Sequence, residues 1–194
     1  MRTKEFDIEE VADAAMNVFW RKGFAATSIQ DLVTETGLSR SSLYSTFKNK
    51  EELYQQALHR YRIKTKSNID LLSSTGSVKN IIQQLLSRII EDELNDPQHR
   101  GCLIANAGLE LAGHDEKTAL SVISNFEQLS RALEKLMIRG QQAGEITTQN
   151  TPKALALFFV NTIQGIRVLS KGCSPQNRQQ YLQNVAEVAL STLS

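Results

Sequence analysis

Apolar residues recur along this chain at three- and four-residue intervals almost from end to end, the spacing that gathers them on one face of a helix. Ile8, Val11, Ala12, Ala15, Val18 and Phe19 form the first such stripe. Asp7 with Glu10 has the spacing of a capping box, so a first helix is predicted from about Asp7 to Lys22, stopping at Gly23. Either Thr27 with Gln30 or Ser28 with Asp31 caps a short second helix carrying Ile29, Leu32 and Val33, and Gly37 ends it. Ser39 caps a third helix with Leu43 and Phe47 on one face. Asn49 with Glu52 caps a fourth, striped by Leu53, Ala57, Leu58 and Tyr61.

The run Ser73-Ser-Thr-Gly-Ser77 is rich in turn residues and marks the expected junction between two modules. Helical spacing then returns with Val78, Ile81, Ile82, Leu85, Leu86, Ile89 and Ile90, ending before Pro97. A short helix follows from about Cys102 to Leu111, and a long one from Asp115 to about Gln142. Thr151-Pro152 and Ser174-Pro175 each put a capping hydroxyl before a proline suited to the first helical position, which starts the last two helices. No alternating stretch is long enough for a sheet. The expectation is an all-α chain of nine helices: residues 1–50 as a helix-turn-helix module, 51–76 as a connecting helix and junction, and 77–194 as a larger helical domain.

Composition agrees with a packed protein, since 41% of the 194 residues are apolar and 22% charged. The longest unbroken apolar run, Ala154 to Val160, has seven residues, far short of the ~20 a membrane-spanning helix needs. The polar start Met1 to Glu10 has no apolar core of a secretory signal, so a cytoplasmic location is expected. Cys102 and Cys173 are too few for a disulfide framework and lack C-x-x-C spacing, so reduced thiols and no metal site are expected.

The formal charge of +1 hides a gradient. Residues 1–35 carry four Lys/Arg against seven Asp/Glu, a net of −3, whereas residues 36–66 carry seven against two, a net of +5. A basic stretch beside a near-neutral remainder is the pattern of a local polyanion-binding surface. A solvated charged helix face would look the same on charge alone.

The chemistry of residues 28–47 separates these readings. A short capped helix, a turn at Gly37-Leu38 and a second short helix have the layout of a helix-turn-helix, which places its second helix in the DNA major groove. If Leu43 and Phe47 point inward, Arg40, Ser41, Tyr44, Ser45 and Lys48 point outward and expose hydrogen-bonding tips with almost no aliphatic surface. Arginine can pair bidentately with guanine, hydroxyls can reach base edges or phosphates, and Lys48 and Lys50 add charges that displace counterions.

The stretch Gly23-Phe-Ala-Ala-Thr-Ser-Ile-Gln-Asp-Leu-Val33, followed by Gly37-Leu-Ser-Arg-Ser-Ser-Leu-Tyr44, Phe47 and Lys50-Glu-Glu-Leu53, resembles the N-terminal domain of the TetR family of transcriptional regulators. The resemblance covers roughly residues 7–61. It implies an all-helical homodimer that binds double-stranded operator DNA, with a larger ligand-binding domain for a small-molecule effector and a dimer interface made mainly by the last two helices. Carried over position by position, Thr27, Arg40, Ser41, Tyr44 and Lys50 match residues that commonly touch DNA, while Ser45 and Lys48 fall where the family varies. Leu32-Val33 stands where Ile-Ala is more usual, and Thr46 replaces a common aromatic or histidine.

The C-terminal part is less specific. Phe158, Phe159, Ile163 and Ile166, with Leu182, Val185 and Val188, give two apolar stripes suited either to a dimeric four-helix contact or to ordinary core. Asn106, Glu110, Phe126 and Asn161 are candidates to line an effector pocket. Cys102 sits where a helix begins, two residues after Arg100, a setting that lowers a thiol's pKa. It is a candidate sensor of electrophiles, with an inert packed thiol as the alternative. No nucleophile elbow, phosphate loop or zinc helix is present, so no enzyme and no cofactor is expected. The competing reading is a ligand- or protein-binding helical dimer that keeps the fold without specific DNA recognition.

Overall fold

The structure, a computed structural model, describes residues 6–194; Arg2, Lys4 and Glu5, counted in the charge balance, lie outside the described residues. The described chain is all α-helical: α1 Ile8–Lys22, α2 Ile29–Thr36, α3 Arg40–Phe47, α4 Lys50–Lys64, α5 Lys66–Leu72, α6 Val78–Asn95, α7 Leu103–Leu111, α8 Glu116–Gln142, α9 Pro152–Gly172 and α10 Pro175–Ser191. Only Thr65 separates α4 from α5. Taking these two as the single fourth helix recovers the expected nine.

Most starts and stops follow the sequence signals, though Ser174 begins α10 without a side-chain cap bond. Asp7 accepts from the Glu9 N–H to cap α1. At α2 the structure selects Ser28 with Asp31: the Ser28 hydroxyl accepts from the Asp31 N–H at 3.1 Å and the Asp31 carboxylate accepts from the Ser28 N–H at 2.9 Å. Gly37 takes the left-handed conformation that ends α2, at φ 69°, and its N–H returns to the Val33 carbonyl. Thr151 caps α9 through the Ala154 N–H, with Pro152 at the first helical position.

Packing divides the chain into two units, one of residues 1–64 and 103–122, the other of 65–102 and 123–194. The turn from Ser73 to Ser77, the expected junction, falls within the second of these units and is fixed by Arg139, whose guanidinium donates to the Ser74 and Gly76 carbonyls at 2.7 and 3.0 Å. The short helix α7 and the first turns of α8 belong with the N-terminal helices. The chain therefore passes between units at Lys64/Thr65, Cys102/Leu103 and Val122/Ile123, so the fourth helix is not the sole covalent route.

In the first unit α1 lies along α4, with α2 and α3 folded against them. Phe19 and Leu32 are fully buried, and Phe19 meets the Tyr54 ring edge-on at 4.9 Å. On α3, Leu43 and Phe47 are buried as their spacing demands. Arg60 ties α4 to α1 by donating to both carboxylate oxygens of Asp13 at 2.7 Å.

The second unit has one apolar core in which α6, α9 and α10 pack together, joined by Leu133, Leu136 and Met137 of α8. Phe159, Ile163, Ile166 and Leu182 are buried within it. These four expected interface residues serve the chain's own core, because their sides of α9 and α10 face α6 and each other. The apolar positions those helices leave exposed are Leu157, Phe158, Val168, Leu169, Tyr181 and Val188. Val185 is half-buried.

Candidate nucleic-acid interface

The face of α3 opposite Leu43 and Phe47 is built from short polar groups. Arg40, Ser41, Ser45 and Lys48 are exposed and Tyr44 is half-buried. Ser39 begins the helix by accepting from the Ser42 N–H at 3.1 Å, and its hydroxyl lies 3.0 Å from that of Ser41. Ser45 donates back to the Ser42 carbonyl, which leaves its lone pairs outward as acceptors. The Arg40 guanidinium lies 5.8 Å from the centre of the Tyr44 ring. Stacking of this kind holds the fork away from the backbone without spending its N–H donors.

Lys48 ends α3 in an uncommon backbone state, φ 61° and ψ −55°. The Asn49 N–H bonds to the Phe47 carbonyl at 2.6 Å, which closes a tight γ-turn around Lys48, a strained conformation for a residue with a Cβ. The turn swings the chain directly into α4, whose first turn is capped by Asn49 through the Glu52 N–H at 2.7 Å. Lys50 is half-buried, with its ammonium 4.3 Å from the centre of the Phe24 ring.

Thr27 departs from its expected role. It is 2% exposed and its hydroxyl donates to the Gly23 carbonyl at 2.6 Å. Its hydroxyl proton is thus spent inside the loop between α1 and α2, while the neighbouring Ser28 and Gln30 are exposed.

Among the expected effector-site residues, Glu110 is placed elsewhere: its carboxylate accepts from the Phe24 and Ala25 N–H groups at 2.8 and 2.6 Å. Sequence reasoning missed this pairing because the partners are 85 and 86 positions apart. Asn106 is half-buried on α7 in the first unit, Phe126 is half-buried on α8, and Asn161 is exposed on α9.

Cys102 was open between a sensor and a packed thiol. It is 7% exposed, whereas Cys173 is the more accessible thiol. The Arg100 guanidinium pairs with the Asp96 carboxylate at 3.2 Å. No cluster of three or more His, Cys, Asp or Glu suited to a metal occurs among the described residues, and none of their helices is long and apolar enough to cross a membrane.

Comparison with known proteins agrees with the motif. Residues 11–57 match the model of the bacterial regulatory proteins of the tetR family, and residues 79–184 match the tetracyclin repressor-like C-terminal domain. The chain is 31% identical over 195 aligned positions to the uncharacterized HTH-type transcriptional regulator YezE of Bacillus subtilis, covering 99% of this chain and 98% of that protein. It is 30% identical to the HTH-type transcriptional repressor ComR of Escherichia coli, over 88% of this chain and 82% of that one. Among solved structures, a cysteine mutant of the TetR-family regulator CifR, complexed with 26 bp double-strand operator DNA, superposes with a TM-score of 0.87 at 26% identity, each chain covered completely. With both of its parts matched and its helix-turn-helix built as described, the chain belongs to the TetR family of DNA-binding transcriptional regulators.

Proposed function

We propose that this regulator is a homodimeric repressor that lies on a palindromic operator and is released when a small molecule binds its second unit. The observation that carries the reading is the outward face of α3, which offers Arg40, Ser41, Tyr44 and Ser45 for base edges, flanked by Lys48 and Lys50 for phosphates. That CifR is seen on operator DNA supports operator binding, and that ComR is a repressor supports the direction of control. The protein acts by binding alone, without an enzymatic step, and works in the cytoplasm.

Dimerisation rests on the exposed apolar positions of α9 and α10, chiefly Leu157, Phe158, Tyr181 and Val188. A symmetric dimer presents two copies of α3 to half-sites about 34–36 Å apart, or a multiple of that, so the operator reads as a palindrome. The buried state of Cys102 favours a reversibly bound effector over attack of an electrophile on that thiol.

The test is selection of bound sequences from random or host DNA, followed by titration of the winner over a range of salt. A palindrome whose affinity falls steeply with salt is expected. Recovery of no common sequence, or a non-palindromic one, would overturn the reading.

A further inference from the structure

The carboxylate of Glu110, near the end of α7, spans two consecutive backbone N–H groups, those of Phe24 and Ala25. It lies so close to the loop that a Cβ on Gly23 would sit 2.9 Å from its Oε2, and Gly23 itself holds φ 78°. The backbone conformation at position 23 thus favours glycine, and a side chain there would also press on the carboxylate. Two charge-assisted bonds from one carboxylate add to the loop's own bonds, from the Gly23 N–H to the Phe19 carbonyl and from the Thr27 N–H to the Phe24 carbonyl, in fixing it.

Phe24 transmits this placement. Its ring stacks on Phe19 at 6.1 Å and meets Tyr54 at 5.0 Å, and its open face receives the Lys50 ammonium at 4.3 Å. The nearness of Glu110 also contributes, after burial, to raising the Tyr54 hydroxyl's pKa. Every member of this chain of contacts belongs to the first unit.

We propose that Glu110 is a positioning residue for operator binding: it fixes the Phe24 backbone, and the Phe24 ring in turn aims Lys50 at the DNA backbone. The proposal rests on the reading of Lys50 as a phosphate contact. It gives the carboxylate of α7 a hold, through Phe24, on the first residue of α4 at the DNA-binding surface. Loss of a negative charge near a DNA-binding face would by simple electrostatics tighten binding, so the proposal predicts the opposite sign from that of a passive surface carboxylate.

The experiment is a double-mutant cycle of Glu110→Ala and Lys50→Ala in the full-length protein. It is read as operator affinity against salt on the selected DNA, with the folded fraction checked by circular dichroism and the binding-competent fraction by stoichiometric titration with operator DNA. Glu110→Ala is expected to weaken operator binding and flatten the salt dependence, and its effect should shrink on the order of tenfold once Lys50 is absent. Glu110→Gln keeps one acceptor and should fall between parent and Ala; it decides the matter if the Ala variant does not fold.

Parental or tighter binding by the Glu110 variants would overturn the proposal, and so would full additivity with Lys50→Ala. A purely structural role would lower the folded fraction while leaving the affinity of the folded protein and its salt slope unchanged, which also overturns it. If Lys50→Ala alone binds with parental affinity and slope, the phosphate reading of Lys50 fails and the proposal falls with it. A salt-dependent loss in Lys50→Ala with no coupling removes the proposal only.

Discussion

The paired carboxylates of this regulator's first unit contrast with one buried carboxylate in the second. In the first, carboxylates sit at or near the surface and are held ionised by partners. Arg60 keeps Asp13 below its usual range, Lys22 does so for Asp31, and Lys117 does so for Glu52. In the second, Glu93 is 3% exposed among the apolar residues of α6, and burial raises its pKa against the pull of Arg167. A surface that must meet a polyanion needs its cations steered and its acids neutralised locally by short-range bonds. An interior has no such use for charge, and keeps it only where several groups satisfy one another.

The sharpest way to break this contrast is Arg178→Ala. The buried Arg178 guanidinium donates to the Ser170 hydroxyl, through Nε at 2.9 Å and through one terminal nitrogen at 2.6 Å, and also to the Glu93 backbone carbonyl. Truncation strands these acceptors beside a buried carboxylate, and a loss of about 3–5 kcal/mol of stability is expected. Equilibrium urea unfolding measures it. A loss below about 1 kcal/mol, the range of an exposed pair, would show that the second unit's charge is no more demanding than the first's.

Substitutions on α3 should do the reverse, changing binding while sparing stability. Arg40→Ala is expected to cost about 1–3 kcal/mol of operator affinity if its guanidinium pairs with a base. Its unfolding midpoint should stay at the parental value, since Arg40 is exposed. Lys48→Gly probes the strained turn. Release of ~1–3 kcal/mol of strain is set against up to ~1 kcal/mol of extra unfolded-chain entropy from glycine. Stability should hold or rise, while the salt slope drops by about 0.9 for one lost phosphate contact. A clear fall in stability would show that the turn is relaxed and that Lys48 is needed to hold α3 against α4.

This contrast also explains what the sequence disclosed. Helix stripes, Gly37, Asn49 and the outward face of α3 were all legible, because capping and recognition depend on residues within four positions of one another. The choice of Ser28 over Thr27 as cap was open in the sequence, since both had a suitable partner three residues on. Packing closed it by turning Thr27 inward to Gly23. The stripes of α9 and α10 announced burial but not against what, so Phe159 and Leu182 looked equally fit for core or interface. Glu110 and the group of Glu93, Ser170 and Arg178 could not be read at all. Their partners are distant in sequence, and a lone Glu or Arg on a helix carries no mark of whether it faces water.

The smallest expected effect lies at the cap of α2 and sets the two units against each other by pH. Ser28→Ala removes one half of the capping box and should cost ~1 kcal/mol. Asp31, the other half, has its pKa lowered from 3.8 to about 2, first by the Lys22 ammonium and then by the Ser28 N–H and hydroxyl. A depressed carboxylate stabilises the fold fully above its unfolded value and loses that contribution as pH falls through its folded one. The start of α2 should therefore loosen between pH ~4 and ~2. Glu93 has the opposite sign: its folded pKa is raised, so acid relieves a penalty at α6 rather than removing a bond. Amide exchange, corrected for its intrinsic pH dependence, should show protection in α2 falling over that window before protection around Glu93 does. In Asp31→Asn the bond to Lys22 no longer titrates, so α2 protection should be lower at neutral pH and flat across the acid range. An Asp31→Asn variant that still loses protection between pH 4 and 2 would place the acid-sensitive group elsewhere in the first unit, with Asp13 and its bond to Arg60 as the next to test.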